Sequence, residues 1–220
     1  EFGQPSTGAP STAIAAAHRV LDSDAMGYWE SPALKARIAQ HYADRYGVTV
    51  APERILLTCG ASPALVLALA TAFEPGDTVA TARPGYVAYR NTLHALNLTP
   101  VEIACGPETR FQLTAAQVAA LDPAPAGVII ASPANPTGTI IPHDELAAIA
   151  AVCRERGIAI VSDEIYERLV YGGAKTTSIA ALVPEGPWHY PEDQVSDATE
   201  RALAAEVTRE PLYLHLHAAL

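Results

Sequence analysis

Short apolar runs alternate with longer segments of helical periodicity along most of the chain. Each run is rich in Val, Ile and Ala and has the length of a buried strand. Strands that alternate with helices predict an α/β fold, here a three-layer, doubly wound and mostly parallel sheet. The strands are expected at Ile55–Thr58, Thr78–Ala82, Pro100–Ala104, Val128–Ala131 and Ile158–Ser162.

The segments between the runs predict helices, and several of them carry start or stop signals. Ser31-Pro32 is a favourable cap and first-turn pair, and Thr114 with Gln117 has the capping-box pattern. Gly157 is a typical helix stop. Helices are expected at Thr12–Leu21, from Ser31 onward, and at Pro63–Phe73, Val87–Leu96, Ala115–Leu121 and Asp144–Arg156.

The alternation of strands and helices stops after about Glu185. Residues 186–191 have the composition of a loop, and Asp193–Glu210 predicts a polar helix with little apolar stripe. We therefore divide the chain into an N-terminal arm and interface region at 1–30, an α/β domain at 31–185, and a tail at 186–220 that is helical or irregular.

Composition and charge narrow the function classes. Half of the 220 residues are apolar and 17% are charged, which is typical of a globular protein. The net charge of −10 leaves no basic stripe, so neither nucleic acid nor an anionic membrane is an expected partner. No apolar run is long enough to span a bilayer. The opening Glu1-Phe2, without an initiator Met, suggests the inside of a longer protein.

The cysteines and histidines predict neither a disulfide framework nor a metal site. Cys59, Cys105 and Cys153 are odd in number and far apart, which favours reduced thiols and a cytoplasmic location. His215 and His217 would project on one side of a strand, but no third ligand is near them in sequence.

Two motifs follow predicted strands and carry most of the chemistry. Asn135-Pro136-Thr137-Gly138 comes after one strand, and Asp163-Glu164-Ile165-Tyr166 comes after the next, 28 residues further on. Ligands of doubly wound sheets bind beyond the carboxyl ends of the strands. An Asn, an Asp and a Tyr at that edge could hold a flat, polar heteroaromatic cofactor.

Each of these side chains also has an ordinary structural interpretation. The Asp163 carboxylate could keep a ring nitrogen protonated, since an adjacent anion favours the charged form, or it could cap the turn that follows. Tyr166 could reach a substituent of the same ring, or it could be a half-buried packing residue. Asn135 could donate to a phenolate oxygen, or it could simply belong to a turn.

Two further segments could hold parts of a ligand. Gly60-Ala61-Ser62 opens a helix after a predicted strand, so its backbone N–H groups and hydroxyl could bind a phosphate, or it could be an ordinary helix start. Tyr86 could stack on an aromatic ligand or anchor a turn. Neither segment is a Walker or G-x-G-x-x-G sequence. A nicotinamide-binding enzyme is therefore disfavoured, but it stays open as an alternative.

Together the motifs resemble the pyridoxal-phosphate-dependent aminotransferases of fold type I, the class I/II family. The resemblance rests on the order and spacing of seven motifs over residues 1–183. They are Gly3-Gln4-Pro5, Gly27-Tyr28, Gly60-Ala61-Ser62, Pro75-Gly76-Asp77, Pro84-Gly85-Tyr86, Asn135-Pro136-Thr137-Gly138 and Asp163-Glu164-Ile165-Tyr166.

The resemblance implies pyridoxal 5'-phosphate (PLP) as the cofactor and an amino acid and a 2-oxo acid as substrates. It implies a homodimer for the complete fold, with residues 31–185 forming part of the cofactor-binding large domain and 186–220 lying outside the family pattern. By the same resemblance, the cofactor phosphate binds at Gly60, Ala61 and Ser62, and Tyr86 stacks on the cofactor ring. Asn135 and Tyr166 bond the phenolic oxygen of that ring, and Asp163 pairs with its nitrogen. The resemblance also implies that Gly3 lies against the substrate carboxylate and that Tyr28 crosses the dimer interface.

The chain departs from the family at the catalytic lysine. Family members bond the cofactor through a lysine some thirty residues beyond the Asp-Glu-x-Tyr motif, and that amine also moves the substrate proton. The chain has two lysines, Lys35 and Lys175, and neither lies at that position. We therefore assign no catalytic residue and expect no transaminase activity from these 220 residues.

Three other interpretations stay open. The complete protein could be a PLP-dependent lyase or decarboxylase of the same fold. The chain could be a non-catalytic protein that binds the cofactor or a family partner. It could also be a fragment that does not fold stably, which would melt without cooperativity.

Overall fold

The computed structural model describes residues 7–23 and 30–183. The chain divides into two compact units after Val183, and the second unit, Pro184–Leu220, lies outside the described residues. Gly3, Tyr28 and the predicted helix Asp193–Glu210 lie outside them as well.

The described residues contain a four-stranded sheet in the order β2-β1-β3-β4, and all of its pairings are parallel. Four of the predicted runs are thereby confirmed as strands, within a residue or two of the expected bounds. The strands are β1 at Thr78–Arg83, β2 at Thr99–Ala104, β3 at Gly127–Ala131 and β4 at Ala159–Asp163.

The helices also follow the predicted segments. Ser31 caps α2 by accepting from the Leu34 amide at 3.2 Å, and Gly157 ends α6 with φ of 66°. The capping box of Thr114 and Gln117 is present in full. The helices are α1 at Ser11–Ser23, α2 at Pro32–Tyr46, α3 at Ala61–Ala72, α4 at Val87–Ala95, α5 at Ala115–Ala119 and α6 at His143–Arg156, with short 3-10 turns at Pro52–Arg54, Pro107–Thr109 and Ile179–Ala181.

The sheet lies between two helical layers. Successive residues of a strand point to opposite faces of the sheet, and each face packs against its own set of helices. Val79 and Ile129 pack with the buried side chains of α3 and α4. Their neighbours Ala80, Val128 and Ile130 pack with those of α5 and α6 on the other face. The three-layer, doubly wound α/β fold expected from the sequence is confirmed.

The predicted strand Ile55–Thr58 is wrong. The segment is assigned to no strand and pairs with none of the strands in the described part of the chain. Its Leu57 amide donates instead to the Glu30 carboxylate at 3.3 Å, and Leu56 is 65% exposed. A strand requires a neighbouring strand to accept its backbone hydrogen bonds, and residues 7–23 and 30–183 contain no such neighbour for this segment.

None of the helices in residues 7–23 and 30–183 has the length and apolar character needed to cross a membrane. Within the same residues, no three Cys, His, Asp or Glu side chains cluster in a way that could hold a metal ion.

Candidate functional site

The carboxyl ends of the parallel strands place three loops at the same edge of the sheet. Strand β1 leads into Pro84 and Gly85 and then into Tyr86, the N-cap of α4. Strand β3 leads into the loop of Asn135, and β4 ends on Asp163. This edge is where a doubly wound sheet binds ligands.

Asp163 is held at the end of β4 by two hydrogen bonds. Its Oδ2 accepts from the Tyr89 hydroxyl at 2.6 Å, and its Oδ1 accepts from the backbone N–H of Ile165 at 3.1 Å. The second bond is the turn cap that an Asp at a strand end can make, so the capping interpretation is part of the structure. The first bond comes from a different element and fixes the carboxylate from the other side.

Tyr89 is a member of the site that the sequence motifs did not single out. The residue is 4% exposed and belongs to the core beside α3. Burial, together with the hydrogen bond to Asp163 and the charge of that carboxylate, raises the pKa of Tyr89, so its hydroxyl stays protonated as a donor. The signal in the sequence was the Tyr86-x-x-Tyr89 spacing, which places both rings on one side of the first turn of α4.

Tyr86 contacts Tyr89 edge to face, with ring centroids 5.5 Å apart and planes at 89°. It is 37% exposed, so part of its ring remains accessible to a ligand. An aromatic side chain, a buried hydroxyl and a carboxylate therefore follow one another from Tyr86 through Tyr89 to Asp163.

Asn135 and Tyr166 line the same cavity, which has a volume of about 430 Å³. Pro133, Pro136 and Tyr171 contribute to its walls. The structure thus brings Asn135 and Tyr166, from two different loops, to the wall of one cavity, while Asp163 is not among its lining residues. Whether they bond a cofactor oxygen stays a prediction.

The N-terminus of α3 has the features of an anion site. Gly60 precedes the helix with φ of 110°, a conformation that glycine adopts without a steric penalty, and the helix has no side-chain cap. The first turn, which the structure describes in full, carries no carboxylate. Ala61 at this terminus and Asp163 at the end of β4 line one cavity of about 300 Å³.

The structure therefore brings some predicted site residues together and leaves others untested. Ala61 shares a cavity with Asp163, Asn135 shares one with Tyr166, and Tyr86 reaches Asp163 through Tyr89. Gly60 and Ser62 flank Ala61 at the exposed start of α3.

Residues at the strand ends and at the start of α3 thus line cavities at the carboxyl edge of a parallel α/β sheet, and Glu164 joins Asp163 and Ala61 in one of them. The model of the family "Aminotransferase class I and II" matches residues 3–196. The chain belongs to that family. The matched range runs past Glu185 to residue 196.

Similar proteins are aminotransferases. The chain is 50% identical over 181 residues to the valine–pyruvate aminotransferase of Mycobacterium tuberculosis, covering 81% of this chain and 47% of that protein. It is 36% identical over 187 residues to the aspartate aminotransferase of Geobacillus stearothermophilus, covering 83% of this chain and 48% of that protein. The crystal structure of an aminotransferase from M. tuberculosis superimposes with a TM-score of 0.78 at 49% identity, covering 81% of this chain and 47% of that one.

The chain spans about half the length of the curated relatives that it matches. The comparisons confirm the family resemblance and the fold that followed from it. They leave the roles of the individual site residues as predictions.

Proposed function

We propose that the chain binds pyridoxal 5'-phosphate at the carboxyl edge of its sheet. The observation that carries the proposal is the cavity shared by Ala61 and Asp163, because it places an uncapped helix N-terminus and an anchored carboxylate around one space. A helix N-terminus attracts a phosphate, and a carboxylate pairs with a protonated ring nitrogen. The two ends of this cofactor carry those two groups.

The remaining residues have roles that follow from their positions. Gly60, Ala61 and Ser62 bind the phosphate through backbone N–H groups and the Ser62 hydroxyl. The accessible face of Tyr86 stacks on the pyridine ring. Asn135 and Tyr166, on the wall of the second cavity, donate to the phenolic oxygen.

When bound, PLP supplies an electron sink for reactions at the α-carbon of an amino acid. The protein supports that chemistry by keeping the ring nitrogen protonated, which is the task of Asp163. Tyr89 holds the Asp163 carboxylate in place, because its raised pKa keeps its hydroxyl in the donor form.

For the protein of the family's full length we propose amino transfer between an amino acid and a 2-oxo acid. Support comes from relatives that are named aminotransferases and from the family match. A homodimer, a substrate contact at Gly3, an interface contact at Tyr28 and a cytoplasmic location belong to the same proposal. A lyase of this fold is the competing activity, and assays of the full-length protein with each substrate class separate the two.

For these 220 residues alone we propose cofactor binding without catalysis. Lys35, on α2, pairs with Glu30, which precedes the helix, and Lys175 lies exposed in the loop after β4. Neither lysine is among the residues that line the two cavities. The chain should therefore bind the cofactor reversibly, with no amine in place to bond it covalently.

Equilibrium dialysis with PLP tests the binding proposal. We expect saturable binding of one PLP per chain, and we expect Asp163→Asn to weaken it because the neutral amide cannot stabilise a protonated ring nitrogen. Asp77→Asn is the matched control, since Asp77 makes a similar turn-capping bond to the Glu74 amide at the opposite, amino end of β1. Equal affinity of all three proteins, or no saturable binding by the wild type, overturns the proposal.

Borohydride reduction tests the absence of catalysis. After reduction in the presence of PLP, we expect no stoichiometric labelling of Lys35 or Lys175 by peptide mass analysis, and we expect no amino transfer above background. Stoichiometric labelling of either lysine, or measurable turnover with any amino acid and 2-oxo acid pair, contradicts this expectation.

A further inference from the structure

Gln112 is a buried polar residue that neither the family motifs nor the proposed cofactor contacts include. It is 5% exposed and lies just after the 3-10 turn that follows β2. Its Nε2 donates to the carbonyl of Thr139 at 2.6 Å and to that of Ala131 at 3.3 Å. A side-chain amide has two N–H donors, so both bonds can form at once.

These two carbonyls lie on either side of the loop that carries Asn135. Ala131 is the last residue of β3, and Thr139 follows Gly138 at the other end of the loop. Within the loop, the Ala134 amide donates to the Thr139 carbonyl at 2.9 Å and the Gly138 amide donates to the Ala134 carbonyl at 2.7 Å. The Gln112 amide therefore bridges the start and the end of the loop from outside.

The backbone that places Gln112 is unusual. Arg110 and Phe111 have φ of 56° and 59°, the left-handed region that bulky residues rarely adopt. The backbone N–H of Phe111 donates to the Gly106 carbonyl at 2.8 Å, and the backbone N–H of Gln112 donates to the Thr109 carbonyl at 3.2 Å. These two bonds close the turn. Such conformations are retained where the surrounding structure requires them, often beside functional sites.

We propose that Gln112 is a positioning residue that fixes the loop of Asn135 and so directs the Asn135 side chain toward the cofactor. The expected effect on cofactor binding rests on the proposed function. The expected effect on the loop of Asn135 rests only on the two hydrogen bonds. Removing the amide leaves the Ala131 and Thr139 carbonyls without this donor, and the loop then moves between several conformations. Asn135 spends less time in the orientation that binds the ring oxygen.

Amide hydrogen exchange of the PLP-free protein tests the effect of Gln112 on the loop of Asn135 without the cofactor. In Gln112→Met, which keeps the length and volume of the side chain, we expect the amides of Ala134 and Gly138 to exchange at least about fivefold faster, the factor that corresponds to a lost hydrogen bond of about 1 kcal/mol. The amides of β1 and β3 should keep their rates, which excludes general destabilisation. Unchanged rates at Ala134 and Gly138 overturn the proposal, whatever the cofactor does.

PLP affinity tests the effect of Gln112 on cofactor binding. We expect Gln112→Met to weaken PLP binding by about fivefold to tenfold. The control is Gln117→Met, which makes the same chemical change at a residue that donates to the Ala104 carbonyl at 3.1 Å, outside the loop of Asn135. If the wild type binds PLP and Gln112→Met binds it equally well, the proposal fails while the proposed function stands; if the wild type does not bind, the proposed function fails.

A second variant distinguishes a lost donor from a general loss of packing. Gln112→Glu has a donor only when its carboxyl is protonated, and burial raises the pKa of such a carboxyl. The protonated carboxyl supplies one donor where the Gln amide supplies two. We therefore expect the exchange at Ala134 and Gly138, compared with the wild type at each pH, to be slower than in Gln112→Met at low pH and to accelerate as the pH rises. A pH-independent ratio between Gln112→Glu and the wild type counts against the proposal.

Discussion

The anchoring of Asp163 is set by individual donors from different parts of the chain. Tyr89 approaches from α4, 74 residues away in sequence, and the Ile165 amide comes from the turn that follows β4. Two donors on separate oxygens define both the position and the plane of the carboxylate. Under the proposed function, this arrangement presents the carboxylate to the ring nitrogen in one orientation.

Removing the Tyr89 hydroxyl tests this arrangement. We expect Tyr89→Phe to lower the free energy of unfolding by about 1.5–3 kcal/mol, the usual range for a hydrogen bond to a charged group, and to weaken PLP binding. Urea unfolding and equilibrium dialysis give the two values. Tyr86→Phe is the control, because it keeps the edge-to-face ring contact with Tyr89; equal effects of the two variants would argue against a special role for Tyr89.

At the scale of residues, the sequence identified the motif members but not their partners. Asp163, Asn135 and Tyr166 stand out because each follows an apolar run. Tyr89 is marked only by its spacing from Tyr86, and Gln112 by no local pattern, because their importance depends on contacts with residues far away in the chain. Such contacts are decided by tertiary packing, which local pattern does not encode.

At the scale of elements, one buried carboxylate ties α2 to the segment after β4. Glu167 is 5% exposed and its Oε1 accepts from Arg45 Nη2 at 3.0 Å, from Arg45 Nε at 3.1 Å and from the Thr176 hydroxyl at 3.0 Å. Burial by itself would raise the pKa of Glu167, but the hydrogen bonds from Thr176, Tyr46 and Arg45 and the charge of Arg45 outweigh it and lower the pKa. The ionised form is therefore favoured in the folded state.

This linkage predicts a pH dependence. Because the pKa of Glu167 is lower when folded than when unfolded, its contribution is present above the unfolded pKa of about 4.3 and is lost as the pH falls through the folded value. We expect Glu167→Gln to lower the free energy of unfolding by about 1–3 kcal/mol at pH 7, with the difference from the wild type shrinking below about pH 4.3. A difference that is constant from pH 7 to pH 3 in urea unfolding would disprove the linkage.

Strand β3 and helix α3 approach so closely that one position requires glycine. A Cβ added at Gly127 would lie 2.1 Å from Cζ of Phe73, a residue that is 7% exposed. We expect Gly127→Ala to lower the free energy of unfolding by about 1–3 kcal/mol through overpacking. Combining it with Phe73→Leu should recover part of the loss, so strict additivity of the two changes in urea unfolding would be the contrary result.

The elements themselves were largely predictable, because capping signals and apolar runs are local. The exception was Ile55–Thr58, whose residues have strand character but whose state depends on a neighbour elsewhere in the chain. Strand pairing is a non-local property, so an apolar run alone cannot decide it.

At the scale of the whole molecule, the sheet places the start of α3 and the end of β4 around one cavity. The described residues form the three-layer α/β fold of the class I and II aminotransferases, in a chain that spans about half the length of its curated relatives. The family and fold followed from the order of the motifs, because that order reflects the sequence of strand ends. We propose that one ligand spans Ala61 and Asp163.

The alkylation rate of Cys59 tests that claim most directly. Cys59 is an exposed thiol beside Gly60, whereas Cys105 and Cys153 are buried and burial raises the pKa of Cys153 to about 11, so both serve as unreactive internal references. We expect PLP to slow alkylation of Cys59 saturably in the wild type, and the same PLP concentration to protect it much less in Asp163→Asn. Protection that is absent in the wild type, or identical in both proteins, would contradict a ligand that spans the start of α3 and the end of β4.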